Sequence, residues 1–422
     1  MTKENKEIIP IEEQPYAVPE NWQWVRLGEI CNVLMGQSPK GSDTTDDTSF
    51  TPLIGGAADI ENNFIQPKRY TRKATKLSKK NDIILCIRAT LGNPVLSDGE
   101  YCLGRGVAAI RSKLCVKEFL RYFYCNFKQY LYDHATGSTF LSIGSVALKE
   151  MPLPVPPVEE QKRIVQVVNG QFSKLDKAKE RIQSVLDSSE TRKAAILHKA
   201  FTGELTASLR KEIYHHDDKS KINAIWKPST LGQLFDLKAG KNIKASAISI
   251  KKTAEFPYPC FGGNGIRGYV ATYNKEGEYP IIGRQGALCG NIHYAKGKFY
   301  ATEHAVVVSC KNHDDSKCIM YYLVFLDLHQ YNTATAQPGL AVATINKVSA
   351  VQIPYEEQRE IVRILDDLLA KEQRITDIAK ETLAQIDMMK QAILAKAFRG
   401  KLGTNDPSEP PAPLTANGDL SC

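Results

Sequence analysis

The stretch "KAAILHKAFTGEL" (193–205) returns near the end of the chain as "KQAILAKAFRGKL" (390–402), 197 positions later. Each copy reads as a helix end. Apolar and small residues at three- and four-residue spacing run into Gly203 or Gly400, placed as αL residues that close a helix. Upstream, "PVEEQKRIV" (157–165) lies opposite "PYEEQREIV" (354–362) at the same displacement, so the segments from Pro157 and Pro354 onward align without a gap. "FLRYFYCNFKQYLYDHATGSTFLS" (119–142) parallels "CIMYYLVFLDLHQYNTATAQPGLA" (318–341), and "WVRLGEI" (24–30) echoes "LGQLFDL" (231–237). The order is the same in both halves, which marks an internal duplication.

Each half has two textures. Residues 22–157 and 226–354 carry short β-rich runs such as "DIILCIRA" and "HAVVVSC", with turn signals at Asp98-Gly99 and Asn264-Gly265. They read as mixed α/β domains. The segments 158–205 and 355–402 switch to helical period, with a heptad-like seam through Val165, Val168, Phe172, Leu175, Ile182, Leu186, Ser189, Ile196 and Ala200 in the first. Lys179 and Lys193 interrupt that seam; Glu372 and Thr376 weaken the second. The "EEQ" after each proline puts carboxylates in the first turn, where they favour the helix dipole. Helices of this length span roughly 60–65 Å. Each carries one apolar stripe and needs a partner, and an antiparallel pair of the two satisfies both. The fold class is therefore α+β: two α/β domains joined by two long helices in an antiparallel coiled coil, with a pseudo-two-fold internal repeat. Residues 1–21 form an N-terminal extension, the polar 206–225 a linker, and the Pro-rich 403–422 a tail expected to be disordered.

Composition narrows the function. The N-terminus lacks the apolar core of a signal peptide, no apolar run is long enough to cross a membrane, and the ten cysteines are scattered singly. A cytoplasmic protein with no membrane partner is expected. There is no Walker loop, His-Glu-x-x-His or Gly-x-Ser-x-Gly. The one Gly-x-Gly-x-x-Gly (263–268) is followed by the β-prone "YVATY" and reads as a hairpin, not a dinucleotide loop. His215-His216 falls in the charged linker. Asp82, and Asp98 with Glu100, lack the following acid–x–lysine of a nuclease and read as turn residues. No catalytic, cofactor or metal residue is assigned.

Positive charge is concentrated. "PKRYTRKATKLSKK" (67–80) holds seven Lys/Arg and no acid, including Lys68, Arg69, Arg72 and Lys73. "KAGKNIKASAISIKK" (238–252) holds five lysines and no acid, with Lys241 and Lys244 around Asn242. One such run per domain fits contact with DNA phosphates. Gly-punctuated loops add groups able to reach base edges: Gln37, Ser38 and Lys40; Arg88 and Thr90; Asn264 and Arg267; Arg284 and Gln285. Arginine pairs with guanine and amides pair with adenine in the major groove.

Together these features resemble the specificity subunit of type I restriction-modification enzymes, over residues 22–402. The resemblance rests on the Trp-x-x-x-x-Leu-Gly start, the variable β-rich domain, Pro-x-x-Glu-Gln, the long helix and Ala-Phe-x-Gly-x-Leu, all repeated once. The second domain departs slightly, starting "WKPSTLGQLF" without the Trp-Val-x-Leu-Gly-Glu of the first. The resemblance implies two target-recognition domains, each reading half of a split, asymmetric double-stranded DNA site, with the helices as a ruler between them. It implies two methyltransferase subunits docked on the helical regions and motor–nuclease subunits for cleavage. S-adenosylmethionine, and ATP with Mg for cleavage, belong to those partners. The near-identity of the two helix ends suits a docking surface shared by like partners. The alternative is a self-contained DNA-modifying enzyme with an unrecognised active site.

Overall fold

A computed structural model describes residues 8–214, 225–286, 288–332 and 339–414. The chain divides into two units, residues 1–182 with 381–422 and residues 183–380, each holding one β-rich domain and parts of both long helices.

In the first unit, strand Ile83–Cys86 is buried at every position, because its sheet is covered on both faces. The sheet order is Cys31–Met35, Val107–Ser112, Ile83–Cys86, Gly92–Leu96, antiparallel throughout. Successive strand side chains point to opposite faces, and the core splits accordingly. Ile83, Leu85, Ala108 and Ile110 pack with Phe119 and Phe123 of helix Lys117–Asn126. Ile84, Cys86, Val107 and Ala109 pack with Ile54 and Leu103 of a second four-stranded sheet. Strands Gln23–Arg26 and Pro152–Val155 pair, tying the start of the domain to its end.

The second unit repeats this frame. Phe235–Ala239, Ala305–Cys310, Lys275–Gly283 and Ile292–Ala301 form the equivalent sheet order, and Lys227–Thr230 pairs with Ser349–Gln352. Ile282, Val306 and Val308 face helix Ser316–Phe325; Ile281, Ala305 and Val307 face Phe261 and Phe299. Where the first domain adds a separate sheet, the second extends its own with the hairpin Tyr258–Gly262 and Gly265–Val270. The Gly-x-Gly-x-x-Gly stretch is the turn and second strand of that hairpin.

The long helices are Val158–Asp187, continued after a break at Ser188 by Ser189–Phe201, and the 43-residue Tyr355–Ala397. Within each unit they pair antiparallel. Lys179 meets Asp387 at 2.9 Å and Lys390 meets Asp176 in the first; Arg192 meets Glu372 at 2.8 Å and Ser189 meets Thr376 at 3.2 Å in the second. Lys179, Glu372 and Thr376, which break the apolar seam, are thus interhelical partners, while Lys193 pairs with Glu190 on its own helix.

Gly203 (φ 78°) and Gly400 (φ 65°) close the helices as Schellman caps, with Glu204 N donating to Lys199 O and Lys401 N to Lys396 O. Beyond each glycine a threonine hydroxyl reaches the first-turn glutamate of the other long helix. Thr404 Oγ1 donates to Glu160 at 2.7 Å, and Thr206 Oγ1 to Glu357 at 2.5 Å. The adjacent glutamines accept from domain backbone: Gln161 from Val116 N, Gln358 from Asp315 N. All four side chains of these Glu-Gln pairs are buried. Both carboxylates of each "EEQ" lie in the first helical turn, as expected, and the second serves in addition as a latch.

The repeated helix ends turn their apolar residues inward: Phe398 packs on Phe119 at 5.0 Å between centroids and Phe201 on Tyr322 at 5.1 Å, with Ala200 and Ala397 fully buried. The repeated motif thus also anchors each long helix within its own unit. One expectation changes: the tail is ordered through residue 414, where Ala412 and Leu414 join the apolar core and polar residues find partners. Trp22 Nε1 donates to Asn405 Oδ1 at 3.1 Å, Asn21 Nδ2 to Asp406 O at 2.9 Å, and Arg163 pairs with Glu409 at 2.7 Å. Residues 415–422 lie outside the described residues. In the linker, Ala207–Tyr214 is helical and sets Arg210 on Glu357. His215 and His216 lie outside the described residues.

Candidate nucleic-acid interface

Antiparallel pairing brings alternate strand junctions to one end of each sheet, and most of the predicted contact residues gather there. In the first domain this end collects residues 36–40, 54–57, 87–91 and 104–106. Glycines allow the crowding: a Cβ on Gly36 would lie 2.1 Å from Gly104 O, and one on Gly106 2.2 Å from Gly55 O. Gln37 N donates to Leu103 O, the Thr75 hydroxyl to Gln37 O, and Arg105 N to Ser38 Oγ at 3.2 Å. Lys40 is exposed on the same loop, which continues to Asp43, whose carbonyl accepts from Arg72 N.

Arg72 also reaches Thr45 and lies over the Phe50 ring, while Lys68 pairs with Glu61 at 3.4 Å. A Cβ on Gly55 would lie 2.8 Å from the Arg69 guanidinium, which places that group at the same end; Lys73 is exposed beside Arg72. Arg88 and Thr90 flank Ala89, which adopts φ 63° and donates its N–H to Leu141 O. Arg88 is exposed and makes no ion pair among the described residues. Beside it, Thr136 and Ser142 close a loop by reciprocal backbone bonds of 2.8 Å and present Phe140, 59% exposed.

In the second domain Lys241 N donates to Ala301 O, and Tyr300 Oη to the carbonyl of Asn242. Lys244 caps the short turn Ala245–Ala247. Asn264, at the hairpin tip, accepts from Asn291 Nδ2 at 3.1 Å. Arg267 is exposed on the edge strand, its side chain beside Gly262 at the base of the hairpin turn. Arg284 exchanges backbone bonds with His304 and Leu340, and Gln285 bridges to Gly339. Arg284 Nε, His293 Nε2 and Glu303 Oε2 are buried atoms without a hydrogen-bond partner among the described residues. Burial lowers the His293 pKa below its ordinary value, favouring the neutral ring.

Arg105 and His293 escaped sequence reading because each stands outside the charge runs, and Phe140 and Asn291 because the repeated stretches that hold them do not show which side chains face outward. The excluded carboxylates have structural partners: Asp82 holds Arg111 through two 2.7 Å bonds, and Asp98 accepts from the Tyr101 hydroxyl. Among the described residues no group of three or more His, Cys, Asp or Glu could hold a metal, and no helix is long and apolar enough to cross a membrane.

Duplicated frames carrying different loops suit a protein that addresses two unlike stretches of one polymer, and these loops offer cations and amides. The class is that of a two-domain DNA-recognition protein. More specifically, the chain belongs to the type I restriction modification DNA specificity domain family, whose model matches residues 19–186 and again 223–386. The specificity subunit of the Escherichia coli type I restriction enzyme EcoprrI is 32% identical over 318 residues, covering 73% of this chain and 76% of that one. The StySPI specificity subunit of Salmonella potsdam is 21% identical over 91% of this chain and 90% of its own. Among solved structures, a chain from a study of complex assembly and conformational transition of the type I R-M system matches with TM-score 0.72, at 22% identity, over 92% of this chain and 100% of that one. The HsdS subunit of Thermoanaerobacter tengcongensis matches with TM-score 0.57, at 21% identity, over 93% and 100%. At those identities the structural likeness is one of fold.

Proposed function

We propose that this chain is the non-catalytic specificity subunit of a type I restriction-modification complex, in which each β-rich domain reads one half of a bipartite, asymmetric double-stranded DNA site. The observation that carries the reading is the repeated frame: one sheet, helix and latch built twice, with unlike cationic and amide-bearing loops at the same end of each sheet. The named relatives are specificity subunits, which favours this reading over a self-contained enzyme. The partners are DNA, two methyltransferase subunits and restriction subunits. The long helices set the spacer and help to dock the methyltransferases. Exposed apolar side chains on them support docking, Met388 and Met389 in the first unit, Val185, Ile375 and Ile378 in the second. S-adenosylmethionine, and ATP with Mg for cleavage, are carried by those partners, and the complex works in the cytoplasm.

The sixteen contact candidates divide by chemistry. Lys68, Arg69, Arg72, Lys73, Lys241 and Lys244 address phosphates; Gln37, Ser38, Lys40, Arg88, Thr90, Asn242, Asn264, Arg267, Arg284 and Gln285 lie on loops or an edge strand able to address bases. Genome-wide mapping of N6-methyladenine in cells with and without this gene tests the proposal. A bipartite motif that disappears with the gene is expected; an unchanged methylome would overturn it. Transfer of label from S-adenosylmethionine to DNA by the isolated chain would overturn the non-catalytic assignment.

A further inference from the structure

Asn264 and Asn291 lie 27 positions apart in sequence, yet their side-chain amides share a 3.1 Å hydrogen bond at the exposed end of the second domain. We infer that this amide pair reads an adenine through the major groove, in the half-site addressed by the second domain. The inference rests on the reading of the chain as a DNA-specificity subunit and adds the base and the groups that select it.

The Asn291–Asn264 bond uses one amide donor and one carbonyl acceptor. It leaves the Asn264 NH2 and the Asn291 carbonyl oxygen on two adjoining amides, and neither has a hydrogen-bond partner among the described residues. Turning both amides round exchanges the two roles but still presents one donor beside one acceptor. Adenine offers the complement on a single base edge, the N7 acceptor beside the N6 donor. Guanine offers two acceptors there, which would set its O6 against the Asn291 oxygen.

The pair is held in place before any DNA arrives. A Cβ on Gly283 would lie 1.9 Å from Gly263 O, so the loop after strand Lys275–Gly283 and the hairpin tip interlock at backbone distance. Gly265 (φ 83°) abuts the His293 ring, and Gly290 (φ 94°) abuts the backbone of His329. Gly283 N donates to Asn291 O at 2.9 Å, fixing Asn291 from the other side. Side chains ordered in advance pay less entropy on binding. Arg284 Nε and His293 Nε2, both buried without a hydrogen-bond partner among the described residues, belong to the same end of the domain.

The test uses the full chain assembled with its methyltransferase subunits and duplexes carrying the mapped site. Asn264→Asp keeps an acceptor for Asn291 Nδ2 but removes the donor aimed at N7. Preference for adenine at one position of one half-site is expected to fall about ten- to hundred-fold, with the other half-site unaffected. Asn291→Ala should relax the same position. Replacing that adenine by 7-deazaadenine should weaken the unaltered protein by a similar factor and leave Asn264→Asp unchanged, a readout that does not depend on how well a variant folds. Even weakening by Asn264→Asp across all four base pairs at every position would make the bond a structural tie and overturn the inference. Relaxation at a G·C position instead would overturn the assignment to adenine. A wild-type assembly that methylates no bipartite site would refute the specificity-subunit reading itself, an outcome distinct from a bipartite site whose readout ignores both asparagines.

Discussion

Glu160 and Glu357 occupy equivalent positions, but their surroundings divide the charge differently. Glu357 accepts from Thr206, from Trp226 Nε1 at 2.7 Å and from Arg210, whose side chain is only 9% exposed. Arg210 has no other carboxylate among the described residues. Glu160 faces Arg163, which is 36% exposed and keeps Glu409 as a second partner. Removing one partner of a buried pair leaves an uncompensated charge, so Glu357→Gln should cost about 3–5 kcal/mol in chemical denaturation. Glu160→Gln should cost about 1.5–3 kcal/mol, the scale of a charged hydrogen bond; equal losses would refute the asymmetry. Burial raises the Glu160 pKa above 4.5, against the hydrogen bonds from Thr404 and Arg163. With the folded pKa raised, its contribution to stability is fullest below 4.5 and falls as pH rises through the higher value. At the DNA-facing end, Arg88→Ala should relax one position of one half-site by about 1–3 kcal/mol. Lys73→Ala should instead weaken all sequences alike and lower the salt slope by about 0.9; competition binding at several salt concentrations separates the two patterns. Residue types alone pointed to Asn264, Gln285 and Arg88, because arginine complements guanine and amides complement adenine in the major groove. Asn291 was not legible, since only the interlocking of hairpin and loop gives it a neighbour.

At the scale of elements, helical period and glycine stops made both long helices legible. The polar interruptions were harder to read, because Lys179, Glu372 and Thr376 have partners on another segment that a single stripe does not reveal. The break at Ser188 has a local cause: its hydroxyl bonds back to Ser184 O at 2.8 Å, a contact that bends helices. The order of residues 403–414 was masked by composition. Five scattered polar groups, at Asn21, Trp22, Arg163, Asn405 and Glu409, hold a segment with little apolar surface. The caps give a test at this scale. Gly400 needs αL geometry, and a Cβ there would meet Pro19 Cγ at 2.4 Å. Gly400→Ala should therefore cost more than the roughly 1–2 kcal/mol of the αL conformation alone. Trimming Pro19 to Gly in the same chain should recover part of that loss, measured as the shift in denaturation midpoint; no recovery would mean that the clash does not contribute.

At the scale of the whole molecule, the duplication was legible because sheet, helix and latch must bury the same residue types twice. The second layers were not legible. A separate sheet in one domain and a hairpin extension in the other both read as short β-rich runs with turns, and strand order is a long-range property. This division between a repeated frame and divergent loops is what a two-part reader needs, and it leads to the proposed role of the helices as a ruler. A four-residue insertion after Ser184, matched by one after Glu381, lengthens both helices by about 6 Å, slightly more than one turn. At roughly 3.4 Å per base pair that is close to two additional base pairs. Since neither insertion touches a β-rich domain, both half-sites should stay readable while the gap between them grows. Methylation mapping of cells carrying the doubly lengthened protein should return the same two half-sites around a longer spacer. The same half-sites around an unchanged spacer would show that the gap is set elsewhere in the complex.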